Sequence, residues 1–251
     1  MSILSDALAW LTDAANWSGD GGIPIRVLEH LQISAISLVA AALVALPAGL
    51  YIGHTRRGEV IAVTIANLGR AVPSFAILAL AFPLSLQLGL GLSIWPTVAA
   101  LFLLGIPPIL TNTYVGVKGV DADTLEAARG MGMSGREVLR SIEAPLAAPL
   151  IVAGLRISAV QIVATATLAA LVAGGGLGRF IVDGFAQGND AMIVGGALVV
   201  ATLSIATEIA FGLVERATTP AHSRRGMFTT RTRRIDLPHP GEPGVDVLTG
   251  V

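Results

Sequence analysis

LQISAISLVAAALVALPAGLYIG, residues 31–53, runs through twenty-three positions without one charged side chain or histidine. As α-helix at 1.5 Å per residue it reaches roughly 35 Å, enough to cross a hydrocarbon core of roughly 30 Å. The only other backbone that can span lipid is a closed barrel, whose strands alternate in polarity over about ten residues. Positions 38–46 show no such alternation. The segment therefore reads as a membrane helix, and it stops where His54, Arg56 and Arg57 begin.

Outward from this segment the pattern repeats. The chain is 53% hydrophobic and 13% charged, with a mean hydropathy of +0.75. Soluble domains carry about a quarter charged residues, so the deficit points to a helical membrane protein throughout. Further spans are expected at residues 59–83, broken near Pro73, at 92–114, at 148–173 and at 191–213, making five. The stretch 59–105 is apolar enough to leave a sixth span, or a re-entrant piece around 84–92, open. Residues 3–17 place Leu4, Leu8, Leu11 and Ala15 at helical spacing near Trp10 and Trp17, which suits a short helix in the membrane interface. The tail from Pro220, with Pro238, Pro240 and Pro243, is expected to be disordered. The expected organisation is an extracytoplasmic segment at 1–25, a membrane domain at 26–216 and a basic tail at 217–251.

Charge sets the orientation. Arg56 and Arg57 follow the first span, Lys118, Arg129, Arg136 and Arg140 follow the third, and Arg216 with five further arginines follows the fifth. Five spans bring all three groups to one side, which should be the cytoplasm. Asp6, Asp13, Asp20, Asp183 and Asp190 fall on the other. The N-terminus is thus expected outside and the C-terminus inside a bacterial plasma membrane.

Between the third and fourth spans lies DADTLEAARGMGMSGREVLRSIEAPL, residues 121–146. Asp123 with Glu126, and Ser134 with Glu137, have capping-box spacing for two short helices. Gly130 and Gly132 suit the left-handed turn between them, and Pro145 and Pro149 are expected to bound the second. Leu125, Ala128 and Met131 on one helix, and Val138, Leu139 and Ile142 on the other, make apolar sides that call for a partner surface.

Glu126-Ala127-Ala128, Gly132, Ile142 and Pro145 resemble the EAA motif of binding-protein-dependent ABC importer permeases. Ala144 stands where that motif usually has leucine. The stretches at 52–58 (IGHTRRG), 70–80 (RAVPSFAILAL), 125–161 and 165–181 (TATLAALVAGGGLGRFI) are similar to permeases for glycine betaine, carnitine and choline. The resemblance implies an all-α transmembrane core of the methionine-importer type, with the 121–146 pair as a cytoplasmic coupling element in a groove of the ATPase. It also implies partners: an ABC ATPase dimer, an extracytoplasmic binding protein, a second permease copy or paralogue, and lipid, with no nucleic acid.

No phosphate-binding loop is present, because Lys118 is the only lysine and Gly119-Val120 follow it. ATP and magnesium therefore belong to the partner ATPase, and this chain is expected to carry no cofactor, metal or catalytic residue. Gly130-x-Gly132-x-x-Gly135 matches a dinucleotide fingerprint but follows a helix rather than a strand. The glycines at 174–178 read as a flexible connection.

Charges within spans are costly and often functional, about 2.5–3.5 kcal/mol at mid-helix. Arg70, Arg156 and Glu208 qualify. Arg156 and Glu208 fall at comparable depth, where they would pair or line an inner gate, or else reach the interface by snorkelling. Asn112, Gln161 and Thr165 are candidate path-lining residues, interhelix hydrogen bonding being the plainer role. Ala45-Gly49-Gly53 and Gly154-Ser158 have the spacing for close helix contact. An amino-acid importer, a self-sufficient secondary transporter or channel, and a membrane scaffold are the competing functions.

Overall fold

The computed structural model describes residues 3–91, 93–172 and 174–218, with all their side chains except those of Ile65 and Arg70. Among the described residues every regular element is helical: α1 Ile3–Thr12, α2 Ile23–Thr55, α3 Glu59–Ala71, α4 Ser74–Gln87, α5 Trp95–Lys118, α6 Ala122–Gly130, α7 Gly135–Val138, α8 Ala144–Thr165, α9 Gly178–Gln187 and α10 Asp190–Thr218. Of the expected tail, 219–251 lie outside the described residues.

Four stretches are long and apolar enough to cross a bilayer: Ile23–Thr55, Trp95–Lys118, Gly135–Val172 and Asp190–Thr218. The pair Glu59–Gly69 and Ser74–Gln87, bent by 85°, makes a fifth when counted as one span. The break has a local cause. Proline disfavours helical backbone in the residue before it, and Val72 is extended at φ −80°, ψ 121°. A sixth span is not found among the described residues. After Gln87 the chain turns through Gly89 and Gly91, both at positive φ.

α2 starts eight residues before its uncharged stretch, because Pro24 in its first turn suits a helix start and nothing after it stops the helix. Its early charges pair with each other, Arg26 Nη1 donating to Glu29 Oε2 at 2.8 Å.

α5 is the central helix, packed on α2, α3, α4 and α8. Lipid offers no hydrophobic drive for helices to associate, so close contact must come from shape. Glycine supplies it. A Cβ on Gly49 would lie 2.7 Å from Thr113 Cβ, and one on Gly53 would lie 2.6 Å from Val117 Cβ. On the other flank, a Cβ on Gly154 would lie 2.8 Å from Asn112 Cβ, and one on Gly105 would lie 2.9 Å from Ser158 Oγ. Ser158 donates to the Gly105 carbonyl at 3.0 Å, a hydrogen bond between the two helices. α5 carries Pro107 and Pro108 in its interior, and Asn112 Nδ2 donates back along the helix to Pro108 O at 2.8 Å.

α10 packs on α8, α9 and α1 and leaves Ile205, Ile209 and Leu213 exposed. α1 is held by its other face. Ala7 is fully buried, and the Trp10 ring meets Phe180 edge-on at 5.2 Å, with room made by Gly195. Leu4 and Leu8 point outward.

The glycine run after α8 is a built loop rather than a slack connection. Gly175 and Gly176 take φ of +70° and +76°, and the Gly176 N–H donates to Glu29 Oε2 at 2.8 Å. His30 is fully buried beside it, with Nε2 2.8 Å from Val163 O.

Replacing Gly53 with valine forces an overpacked seam, which typically costs about 1–3 kcal/mol. The purified protein in detergent is expected to unfold at lower temperature, with partial recovery when Val117→Ala is added.

Candidate functional site

The 121–146 segment folds as a hairpin at the α5 end that carries Lys118. Asp121, not Asp123, caps α6: its carboxylate accepts from the Thr124 N–H at 3.0 Å. Cap preference is similar for both aspartates, and sequence spacing alone favoured the wrong one. Gly132 is left-handed at φ +84°, and Met133 N–H reaches back to Ala128 O at 3.2 Å to close the helix end. Gly130 is instead the last residue of α6 itself. Ser134 and Glu137 form both halves of a capping box.

The hairpin's apolar side does not await a partner. Leu125, Ala128 and Val138 are buried against Val120, with Met133 and Ile142 packed beside them. What faces outward is the opposite surface: Glu126, Ala127 and Gly132 are exposed, and so is Met131 at 75%. Pro145 is exposed too, Ala128 is buried and Ile142 half-buried.

Pro145 does not end the second helix. α7 runs through a wide π-type turn, Leu139–Glu143, directly into α8. Proline lacks an N–H and collides with the carbonyl four residues back. The wider turn takes up that misfit, with Ala144 N–H bonding five residues back to Leu139 O. One continuous rod, Gly135–Val172, therefore joins the hairpin to the membrane core.

Two contacts that sequence reasoning missed fasten this end of the molecule. Glu143 is 1% exposed, and His54 Nδ1 from the end of α2 lies 2.5 Å from its Oε2. Lys118 Nζ donates to both oxygens of Glu59, at 2.7 and 2.6 Å, and to Tyr114 Oη at 3.1 Å. His54 and Glu143 are 89 residues apart, so no local pattern pairs them. The available signal was a lone carboxylate beside Ile142 and Pro145 in an otherwise apolar stretch.

In the span region, of the candidates whose side chains are described, Arg156 and Glu208 are the two that meet, Nε to Oε1 at 3.3 Å. Arg156 has a second and closer partner, donating from Nη1 to Glu215 Oε2 at 2.7 Å. Glu208 and Glu215 lie two turns apart on α10 and so share a face, with Gly212 between them near the guanidinium. Asn112 lies in the α5–α8 seam, while Gln161 is exposed and Thr165 half-exposed on α8. The side chain of Arg70 lies outside the described residues.

Residues 45–220 match the family described as the binding-protein-dependent transport system inner membrane component. A choline transport system permease protein of Bacillus subtilis (strain 168) is 38% identical over 205 residues, spanning 82% of this chain and 92% of the relative. A glycine betaine/carnitine/choline transport system permease protein from the same strain is 40% identical over 200 residues, 80% of this chain and 90% of the relative. The inward-facing MetNI methionine ABC transporter superposes with a TM-score of 0.68 at 22% identity, over 88% of this chain and 100% of that one. The chain belongs to the family of binding-protein-dependent transport system inner membrane components. It is a multi-pass membrane permease of an ABC importer with the methionine-importer fold, and its family implies an ATPase and a binding protein as partners.

Arg156→Gln removes the cation that Glu208 and Glu215 share. Hydrogen bonds to charged groups contribute about 1.5–3 kcal/mol, so thermal unfolding in detergent should occur earlier. Adding Glu215→Gln should restore part of the loss, whereas strictly additive losses would show that the pair does not couple.

Proposed function

We propose that this chain is the non-catalytic, membrane-spanning subunit of an ATP-driven importer for quaternary-ammonium osmoprotectants such as glycine betaine, carnitine and choline. Identity of 38–40% to permeases named for those solutes, across four-fifths of the chain, carries the substrate class. Two permease copies, or this chain and a paralogue, enclose the path; the ATPase dimer lies below and the binding protein above.

The hairpin is the point of force. Its buried interior makes it a firm unit, and its exposed Glu126, Ala127, Met131 and Gly132 are available to the ATPase. ATP-driven closure of the ATPases moves this tip, and the helices packed at its base pass the motion to the spans. Arg56 and Arg57 after α2, Lys118 ending α5 and Arg129 and Arg136 on the hairpin favour the cytoplasm for this end. The contacts His54–Glu143 and Lys118–Glu59 support a shared end for the first two groups and the hairpin. Arg156, Glu208, Gln161 and Thr165 are the residues proposed for the inner path, with Arg70 and Asn112.

Co-expression with its ATPase and binding protein, followed by proteoliposome uptake, tests this reading. ATP-dependent accumulation of labelled glycine betaine, carnitine or choline is expected, and transport of methionine alone would overturn the substrate class. Gly132→Val meets a left-handed backbone that costs a side chain about 1–2 kcal/mol. Gly132→Val and Met131→Asp should each release the ATPase on purification while the permease stays in the membrane. Retention by both would refute the coupling role of the hairpin.

A further inference from the structure

The wide turn at Leu139–Glu143 is the weak joint in the rod between the hairpin and the membrane core, because its bonds span five residues instead of four. Force applied at the hairpin tip would bend the chain there before moving α8. The last residue of that joint is Glu143, whose side chain is almost wholly buried in contact with His54. Gly135, the first residue of α7, lies near the Nε2 edge of the same imidazole, where a Cβ would sit 3.4 Å from His54 Nε2. One side chain from α2 thus contacts the last residue of the joint and lies close beside the rod before it.

α2 is also held at its far end. Its thirty-three residues run without a break for roughly 50 Å. Near the start, His30 meets Val163 O, on the rod beyond the joint, and Glu29 binds the Gly176 N–H in the loop that follows the rod. α2 therefore runs antiparallel beside α8 and is fastened to the hairpin end by His54 and to the glycine loop at the other end by Glu29.

We infer that the His54–Glu143 contact is a latch that makes α2 move with the coupling hairpin, so that α2 carries the signal between the ATPase end and the opposite glycine loop. His54 is a positioning residue that acts through Glu143, and neither touches the exposed tip. The inference rests on the hairpin being the ATPase contact. A carboxyl group this buried cannot shed its partner cheaply, because a buried polar group left without a hydrogen bond pays its full desolvation cost. The contact should therefore persist while the rod moves.

The complete complex in proteoliposomes, with the permease, its ATPase and its binding protein, is the system to measure. The readout is stimulation of ATP hydrolysis by loaded binding protein, a coupling between the two ends. Coupling between sites is typically 5–150-fold. His54→Ala should keep the ATPase attached and basal hydrolysis unchanged while reducing stimulation about fivefold or more. His54→Gln, whose amide still donates to Glu143, should recover most of it. His54→Ala combined with Glu143→Ala should be no worse than Glu143→Ala alone. Normal stimulation in His54→Ala, or additive losses in the double variant, overturns the latch. If His54→Ala yields no intact complex, His54→Phe keeps the ring's bulk without a donor, and normal stimulation there overturns it equally. Wild-type permease that retains no ATPase would instead refute the hairpin's role, a separate result.

Discussion

The architecture depends on how closely helix backbones approach α5. Water drives soluble helices together, but lipid does not, and van der Waals contact over matched surfaces must take its place. Gly49 and Gly53 on one flank and Gly154 on the other let the α2 and α8 backbones close directly onto the α5 side chains Thr113, Val117 and Asn112. In the α5–α8 seam the Ser158 hydroxyl bonds across to the Gly105 carbonyl. Every position described above, from the hairpin to the paired glutamates of α10, inherits its place from this close three-helix contact.

The same economy governs the polar groups. Arg156 sits between Glu208 and Glu215, Glu143 beside His54, and Lys118 between Glu59 and Tyr114. Each ties two helices that are distant in sequence. Hydrophobic contact between apolar helices is nearly featureless along the axis, so paired charges fix which depth faces which. The hairpin shows the complementary strategy. It buries its own small core and presents a mostly polar tip with one large apolar residue, Met131, well exposed.

Much of this was legible in the sequence, for identifiable reasons. Spans announce themselves as long uncharged runs, and the Pro73 break, the Ser134–Glu137 box and the left-handed Gly132 rest on strong local chemistry. The small-residue spacings named their own seams. Contacts between distant residues were the obscure part. Arg156 could be matched by depth with Glu208 but not with the closer Glu215, because snorkelling-length side chains reach two turns either way. Pro145 read as a terminator because a proline stops an ideal α-helix, and no composition signal announces a wide turn that absorbs it. The apolar sides of the hairpin looked unsatisfied because sequence cannot tell a face that meets its neighbour from one that meets another protein.

That wide turn has a consequence for how such proteins can vary. Each residue of an α-helix rotates the chain by about 100°, so one surplus residue at Leu139–Glu143 sets the azimuth at which the hairpin leaves the α8 axis. The direction in which the tip points is therefore governed by segment length, independently of which side chains the tip displays. A lineage could re-aim this element toward a differently placed ATPase surface by a single-codon insertion or deletion, leaving every membrane seam in register.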